Sequence, residues 1–440
     1  MQKLIISLIA LFMMLFQEKH SEQLPDISSS MKLNWKAPIG CASFRTNVVL
    51  NGDDLFIGSN GDQFRDYYPI DKKSGLYRLN RKSGNISNRI GNGDFGDLDV
   101  NGVLIYKNRL YFGNDNEEFL CTTKEGKILW QLPTSADVEH EPSLINNKGK
   151  IEIVYATELG EVRAVDPENG KTIWEYYTEE FRGWKPGKNR ITAKVGAFIS
   201  NTENFYTRPV LADINKDGVE DLIYNTYNWQ IIAIDGANGK QLWLNKDNAG
   251  RIFITNIGTS TYPLFACFDY EYITSSSYKC HIKTINKQGK QEKKYTSTEG
   301  AFRESGINTM KCTNGNTLIL SSDSINILDV KGEKINSILI DTNSRKDRYY
   351  YYSDVIFGTD IFKYKGHEDC IVLLHEYDEN YSKGFIEIIS LKEEKTIEKI
   401  SLPEKSEMAP VIADINKDGQ KDILLNCYDG YLYCYTIPSY

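Results

Sequence analysis

The sequence predicts an all-β chain closed into a β-propeller of about eight four-stranded blades, with about seven as the alternative, and three observations predict it. Beyond the first residues no stretch keeps a helical period; short runs of Val, Ile, Leu, Tyr and Phe recur instead between Gly, Asn and Asp turns. A strand, a tight Gly turn and a second strand repeat along the chain, as GLYRLNRKSGNI (75–86), EFLCTTKEGKILW (118–130), EVRAVDPENGKTIW (161–174), QIIAIDGANGKQLW (230–243), HIKTINKQGKQEKKY (281–295) and NILDVKGEKINSI (326–338). Ahead of each lies another strand pair, such as RPVLADI (208–214) with DLIYNTY (221–227), so one unit is four strands in about 40 to 50 residues.

The units begin near residues 42, 98, 140, 206, 260, 304, 352 and 408. The last stops at YLYCYTIPSY, its third strand, while KLNWKA (32–37) matches the outer strands read in KTIW and KQLW. The N-terminal strand is therefore expected to complete the last blade and remove an open sheet edge, making residues 32–440 one propeller domain. Ahead of it, Lys3, the apolar run Leu4 to Phe16 and the polar QEKHSEQ read as a secretory signal peptide over residues 1–23, which implies a secreted or periplasmic protein. The run is too short to span a bilayer comfortably, so stable membrane insertion is not expected; an uncleaved N-terminal anchor is the competing reading.

A chain of 440 residues, 40% of them hydrophobic, can bury a large core. Its 52 Lys and Arg against 60 Asp and Glu, a formal net charge of -8, argue against a nucleic-acid partner whose affinity rests on phosphate neutralisation. The eight cysteines show no CxxC and no metal-type clustering. Cys427 with Cys434 and Cys267 with Cys280 flank turns and could pair across strands, but buried free thiols are the expectation.

Two stretches stand out, ADINKDGVEDL (212–222) and ADINKDGQKDI (413–423). Oxygen side chains fall at every second position, Asp213, Asn215, Asp217 and then Asp221 in one, Asp414, Asn416, Asp418 and then Asp422 in the other. A hard cation takes about six to eight oxygens, and this spacing wraps one ion with Val219 or Gln420 lending a carbonyl. Gly218 and Gly419 allow the bend; Tyr224 and Leu425 stand where a helical EF-hand needs its bidentate Glu, so these are calcium loops between strands. Two structural Ca2+ sites are expected, and none at INNKGKIE (145–152) or FKYKGHED (362–369), where the pattern is lost.

The strand, turn and Lys-x-x-Trp units resemble the PQQ-like propeller repeats of quinoprotein dehydrogenases and of the outer-membrane assembly machinery. The ADINKDG units resemble the FG-GAP or VCBS repeats of integrin-type propellers, whose Asp and Asn side chains hold calcium. These resemblances imply the fold for nearly the whole mature chain, but a fold that hosts many functions does not assign one. The adjacent cysteines that a quinoprotein dehydrogenase carries beside its cofactor are missing here.

Loops joining blades share one face of a propeller with the second-to-third-strand loops. The long insertions fall in that set: 60–74, 179–204, 269–278 and 342–352. Arg65, Tyr67, Tyr68, Arg182, Trp184, Lys188, Arg190, Arg348 and Tyr350 could form a basic, aromatic funnel, since flat rings suit sugars and guanidinium forks suit carboxylates or sulfates. Arg45, Asn101, His140, Glu141 and Arg208 stand just before inner strands, at the mouth of the central channel. The leading expectation is a non-catalytic propeller that binds a protein or polysaccharide partner through this face. The alternative is a polysaccharide lyase on an acidic glycan, with His140 as base, Tyr206 as proton donor and Arg208 neutralising a carboxylate. A third reading is an outer-membrane assembly scaffold. No GxSxG, Walker loop or HExxH is present, and His367 with His375 lack a third zinc ligand.

Overall fold

Inner strands are the most apolar stretches and bury even the polar residues they carry, whereas outer strands leave most of their residues exposed or half-buried. Glu161–Val165, Asp221–Asn225 and Phe385–Ser390 are buried along their whole length, because the second and third strands of a blade meet neighbouring blades on both faces. The outer strand Thr172–Tyr177 buries Trp174 alone. The computed structural model describes residues 24–440 apart from 62–72, 92–97, 180–204, 206, 227–229, 248, 275–276, 300, 303–308, 322–323, 341–351, 354 and 377–382.

Eight antiparallel sheets follow one another around a ring as a β-propeller. Blades 1 to 7 take residues 48–90, 103–133, 143–177, 210–245, 249–299, 309–339 and 355–401. Blade 8 joins 411–436 to the N-terminal strand Lys32–Ala37, which pairs antiparallel with Tyr431–Thr436. The closure read from KLNWKA is thus the one observed. The outer strand of every blade slips register against its neighbour, twice in blade 5 and once in the others, and the N-terminal strand repeats that bulge between Leu33 and Trp35.

The bulge aims a recurring tryptophan across the seam. Trp35, Trp130, Trp174 and Trp243 donate from Nε1 to the carbonyls of Arg81, Pro167, Gly236 and Lys287 in the next blade, at 2.9–3.2 Å. Each indole lies over the glycine of that blade's turn; a Cβ on Gly239, at φ +74°, would stand 2.4 Å from Trp174 Cε3. This is the physical content of the Lys-x-x-Trp repeat. Among the described residues the core divides into eight apolar clusters, one in each seam between adjacent blades.

Two expectations are corrected. The fifth unit, placed near residue 260, begins with the strand Ala249–Asn256, which follows the outer strand of blade 4 after only a short connector. The stretch 269–278, expected as a loop, continues the ladder of Leu264–Thr274 with Ser277–Asn286; Tyr alternating with acidic residues sustains a strand as readily as it fills a loop. FKYKGHED folds into an extra hairpin, Phe362–Tyr364 against His367–His375. Cys427 faces the seam of blades 7 and 8, and Cys434 the seam of blades 8 and 1; Cys41, Cys121, Cys267, Cys312, Cys370, Cys427 and Cys434 are free. Among the described residues no helix is long and apolar enough to cross a membrane.

Candidate functional site

The connectors between blades and the second-to-third-strand loops do share one face. Ala42 N donates to Asn426 Oδ1 at 2.6 Å, Gly40 N to Gly430 O at 3.0 Å and Tyr428 N to Lys405 O at 2.8 Å. On this face the connectors entering blades 1 to 4 build one polar network. Ser43 Oγ donates to Asn101 Oδ1 at 2.6 Å and Asn101 Nδ2 to Glu139 Oε2 at 2.8 Å, while Arg45 pairs with the same carboxylate. Asn47 Nδ2 donates to Val103 O at 2.9 Å and to Glu141, and Arg208 pairs with Glu141 from the other side. A Cβ on Gly102 would stand 2.1 Å from Glu141 N, so the connectors of blades 2 and 3 run in backbone contact.

The network grades from dry to wet. Asn101 and Glu139 are buried, whereas the Arg208 side chain is 69% exposed and meets a Glu141 carboxylate that is 22% exposed. Beside Glu139, burial and the neighbouring negative charge push Glu158 up to about 7, against the opposing pull of Arg45. A mouth of this kind presents a guanidinium held in place by a carboxylate, and can recognise acceptor groups on a partner.

Of the residues expected at the mouth, Arg45, Asn101, Glu141 and Arg208 come together as described. His140 does not open onto it. The ring is 3% exposed, lies 6.2 Å from Tyr224 in the seam of blades 3 and 4, and holds its Nδ1 2.9 Å from the Glu141 carbonyl. Burial pushes the imidazole down to about 4, which makes it a weaker base, and the ring is covered where the lyase reading needs it presented at the mouth. Tyr206, Arg65, Tyr67, Tyr68, Arg182, Trp184, Lys188, Arg190, Arg348 and Tyr350 lie outside the described residues. Glu139, Asn47 and Glu158 were missed in the sequence; the signal available for Glu139 and Asn47 was their place in the same connectors. His367 and His375 stand at opposite ends of one strand, about 26 Å apart by strand rise, and bind Glu393 at 2.5 Å and Glu387 at 3.0 Å instead.

On the opposite face the two ADINKDG turns fold alike. Asp213 accepts from Asp217 N at 3.2 Å and Gly218 N at 3.1 Å, and Asp217 Oδ1 accepts from Val219 N at 2.9 Å. In the second copy Asp414 accepts from Asp418 N and Gly419 N, both at 3.1 Å, and Asp418 Oδ1 from Gln420 N at 2.8 Å. Gly218 and Gly419 take φ of +87° and +86° in open space, as the bend requires. Asp221 and Asp422 are fully buried and bind N–H donors: Asp221 holds Ile214 N at 2.9 Å and Gly236 N at 3.2 Å. Burial outweighs these bonds and pushes Asp221 up to about 6. The donor set, hard oxygens on a tight turn, has the chemistry calcium takes. Among the described residues no three His, Cys, Asp or Glu side chains gather as a metal centre.

The second turn also sits on the ring's closure. Asp422 Oδ1 accepts from Asn34 Nδ2 at 2.9 Å, and Thr436 Oγ1 lies 3.1 Å from it. Arg81 of blade 1 donates to Ile415 O at 2.5 Å and to Asp414 O.

Comparison with known proteins agrees with this architecture. Residues 99–183, blades 2 and 3, match the PQQ-like family described as outer membrane protein assembly factor BamB. Among solved structures the chain is similar to Sqt1 of Saccharomyces cerevisiae (TM-score 0.60, 10% identity, covering 93% of this chain and 100% of that one). It is also similar to a europium-containing methanol dehydrogenase (0.57, 10%, 94% and 95%) and to the Dos1 propeller (0.57, 12%, 92% and 95%). At such identities these likenesses show the β-propeller fold alone. No curated protein matches the chain significantly.

Proposed function

We propose that the protein is a non-catalytic propeller that binds a protein or glycan partner through its connector face. The observation that carries this reading is the mouth network itself: four blades contribute to it, and Arg208 stands out into solvent on a fixed carboxylate. The burial of His140 supports this non-catalytic reading, since it leaves recognition groups rather than the imidazole at the mouth. A second reading, a scaffold for outer-membrane protein assembly, is favoured by the family match of blades 2 and 3 and makes the partner a protein.

Two calcium ions belong to the same proposal, as structural clamps on the far face. Asp213, Asn215, Asp217, Asp221 and the Val219 carbonyl would hold one, and Asp414, Asn416, Asp418, Asp422 and the Gln420 carbonyl the other. A signal peptide and a secreted or periplasmic location fit the leader and are likewise proposed. The test is a screen of the purified chain against acidic polysaccharides, reading binding and the absorbance of unsaturated products, beside affinity capture from a cell-envelope extract. Binding to a glycan or a captured protein that weakens about tenfold or more with Arg208→Glu supports the mouth. Unsaturated products would return the lyase, and binding insensitive to Arg208→Glu would sink the mouth as the site.

A further inference from the structure

The hairpin of blade 7, Phe362–Tyr364 against His367–His375, meets both the N-terminal and the C-terminal segments of the chain. Glu398, on the outer strand Lys395–Ser401, is the meeting point. Its Oε1 accepts from Ser30 Oγ at 2.7 Å, and its Oε2 accepts from Tyr364 Oη and from Lys365 Nζ, each at 2.7 Å. The Lys365 N–H donates to Pro438 O at 2.8 Å, so the tip of the hairpin holds the C-terminal segment as well. Ser401 N donates to Pro25 O at 2.9 Å, and Asp26 bridges to Ser401 in parallel.

The sequence of residues 25–31 suits this seat. Asp26 caps one helical turn, its Oδ1 accepting from Ser28 N at 2.9 Å, and the turn sets Ile27 and Met31 on one face. Both are buried in the seam between blades 7 and 8, in one apolar cluster with Phe362, Tyr364, Ile400, Tyr435 and Ile437. Lys365 stands at φ +44°, a left-handed backbone that favours glycine. A turn that needed only to bend would be less strained with Gly there; Lys365 instead uses its amide on Pro438 and its ammonium on Glu398. Burial alone would raise the Glu398 carboxyl, but the hydrogen bonds from Lys365, Ser30 and Tyr364 hold it below the usual range, so the charged form is the one gripped.

We propose that residues 25–31 form a strap, clasped by the blade 7 hairpin through Glu398, and that the strap opens as one unit while the pairing of Lys32–Ala37 in blade 8 stays intact. The closing strand belongs to blade 8 and the strap lies on blade 7, so the N-terminal segment ties two blades across their seam. Clasped, the strap covers the Ser401 end of an outer strand and fills the seat of Ile27 and Met31. Open, it bares a strand edge and an apolar groove side by side, features that invite pairing with another chain.

Hydrogen exchange on the full chain reads the strap through the Met31 amide, bonded to Ile27 O, and the Ser401 amide, bonded to Pro25 O. Glu398→Ala should speed both together by about tenfold or more, because hydrogen bonds to a charged group are lost. Amides of the Lys32–Ala37 ladder should keep their rates. Glu393→Ala removes a neighbouring carboxylate that binds His367 and Lys395 instead, and should leave the strap unchanged. Lys365→Gly separates a clasp from a simple bend: it relieves the left-handed backbone, yet should still speed exchange at Met31 and Ser401. The proposal is overturned by unchanged or slowed exchange there in Lys365→Gly, by Met31 and Ser401 responding separately or not at all to Glu398→Ala, by a closing ladder that opens with them, or by an equal response to Glu393→Ala.

Discussion

Burial has taken His140 out of the chemistry that its place in the sequence offered. Its pKa falls from 6.5 to about 4 because the seam excludes water, so the folded state keeps it neutral while the unfolded chain protonates it. The stability it contributes is full above about pH 6.5 and is lost as pH falls toward 4, on the order of 3 kcal/mol. Glu158 works with the opposite sign. Its pKa rises from 4.5 to about 7, so its contribution is full below about pH 4.5 and lost as pH climbs through 7. Melting temperature followed against pH should therefore show His140→Gln flattening the acid limb and Glu158→Gln the alkaline one. Unchanged limbs would mean that both groups are better solvated than their packing indicates.

The working element is the outer strand with its bulge, tryptophan and receiving glycine. In four seams the indole bonds a carbonyl of the next blade and covers its turn. Gly239 serves twice, through its φ of +74° and through the 2.4 Å that a Cβ would leave to Trp174, whereas Gly218, at +87°, has nothing within 4 Å. Gly218→Ala should thus cost about 1–2 kcal/mol for the left-handed backbone alone. Gly239→Ala should cost clearly more, because the indole must also move. Urea midpoints of the two variants check this, and equal losses would show that the indole does not grip its turn.

At the scale of the ring, the two ADINKDG turns are unequal despite their matching sequence. The first is anchored within blade 4 through Gly236, whereas the second ties together blade 8, the N-terminal strand and blade 1 through Asp422, Asn34 and Arg81. If calcium occupies both, chelation should lower the melting temperature by a few degrees or more. Asp418→Ala should then remove more of that shift than Asp217→Ala, since the second ion also braces the closure. No response to chelator in calorimetry would remove calcium from the account.

Much of this was legible in the sequence. The strand and Gly-turn repeat fixed the blade count, and KLNWKA matched the outer strands closely enough to reveal how the ring closes, because both are local patterns with a constant period. The fifth blade was misplaced at 260 because Ala249–Asn256 follows blade 4 without the usual long connector, and an alternating stretch such as 269–278 looks the same in a loop and in a strand. At the mouth, sequence position identified which connectors converge but not which side chains reach water.

The twin acidic turns show the same division. Their spacing, set by the chain alone, determined the bend and the oxygen set. What Asp422 touches depends on a strand almost four hundred residues away. Burial, and with it the neutrality of His140, is a property of the assembled seams; only the tertiary structure decided that.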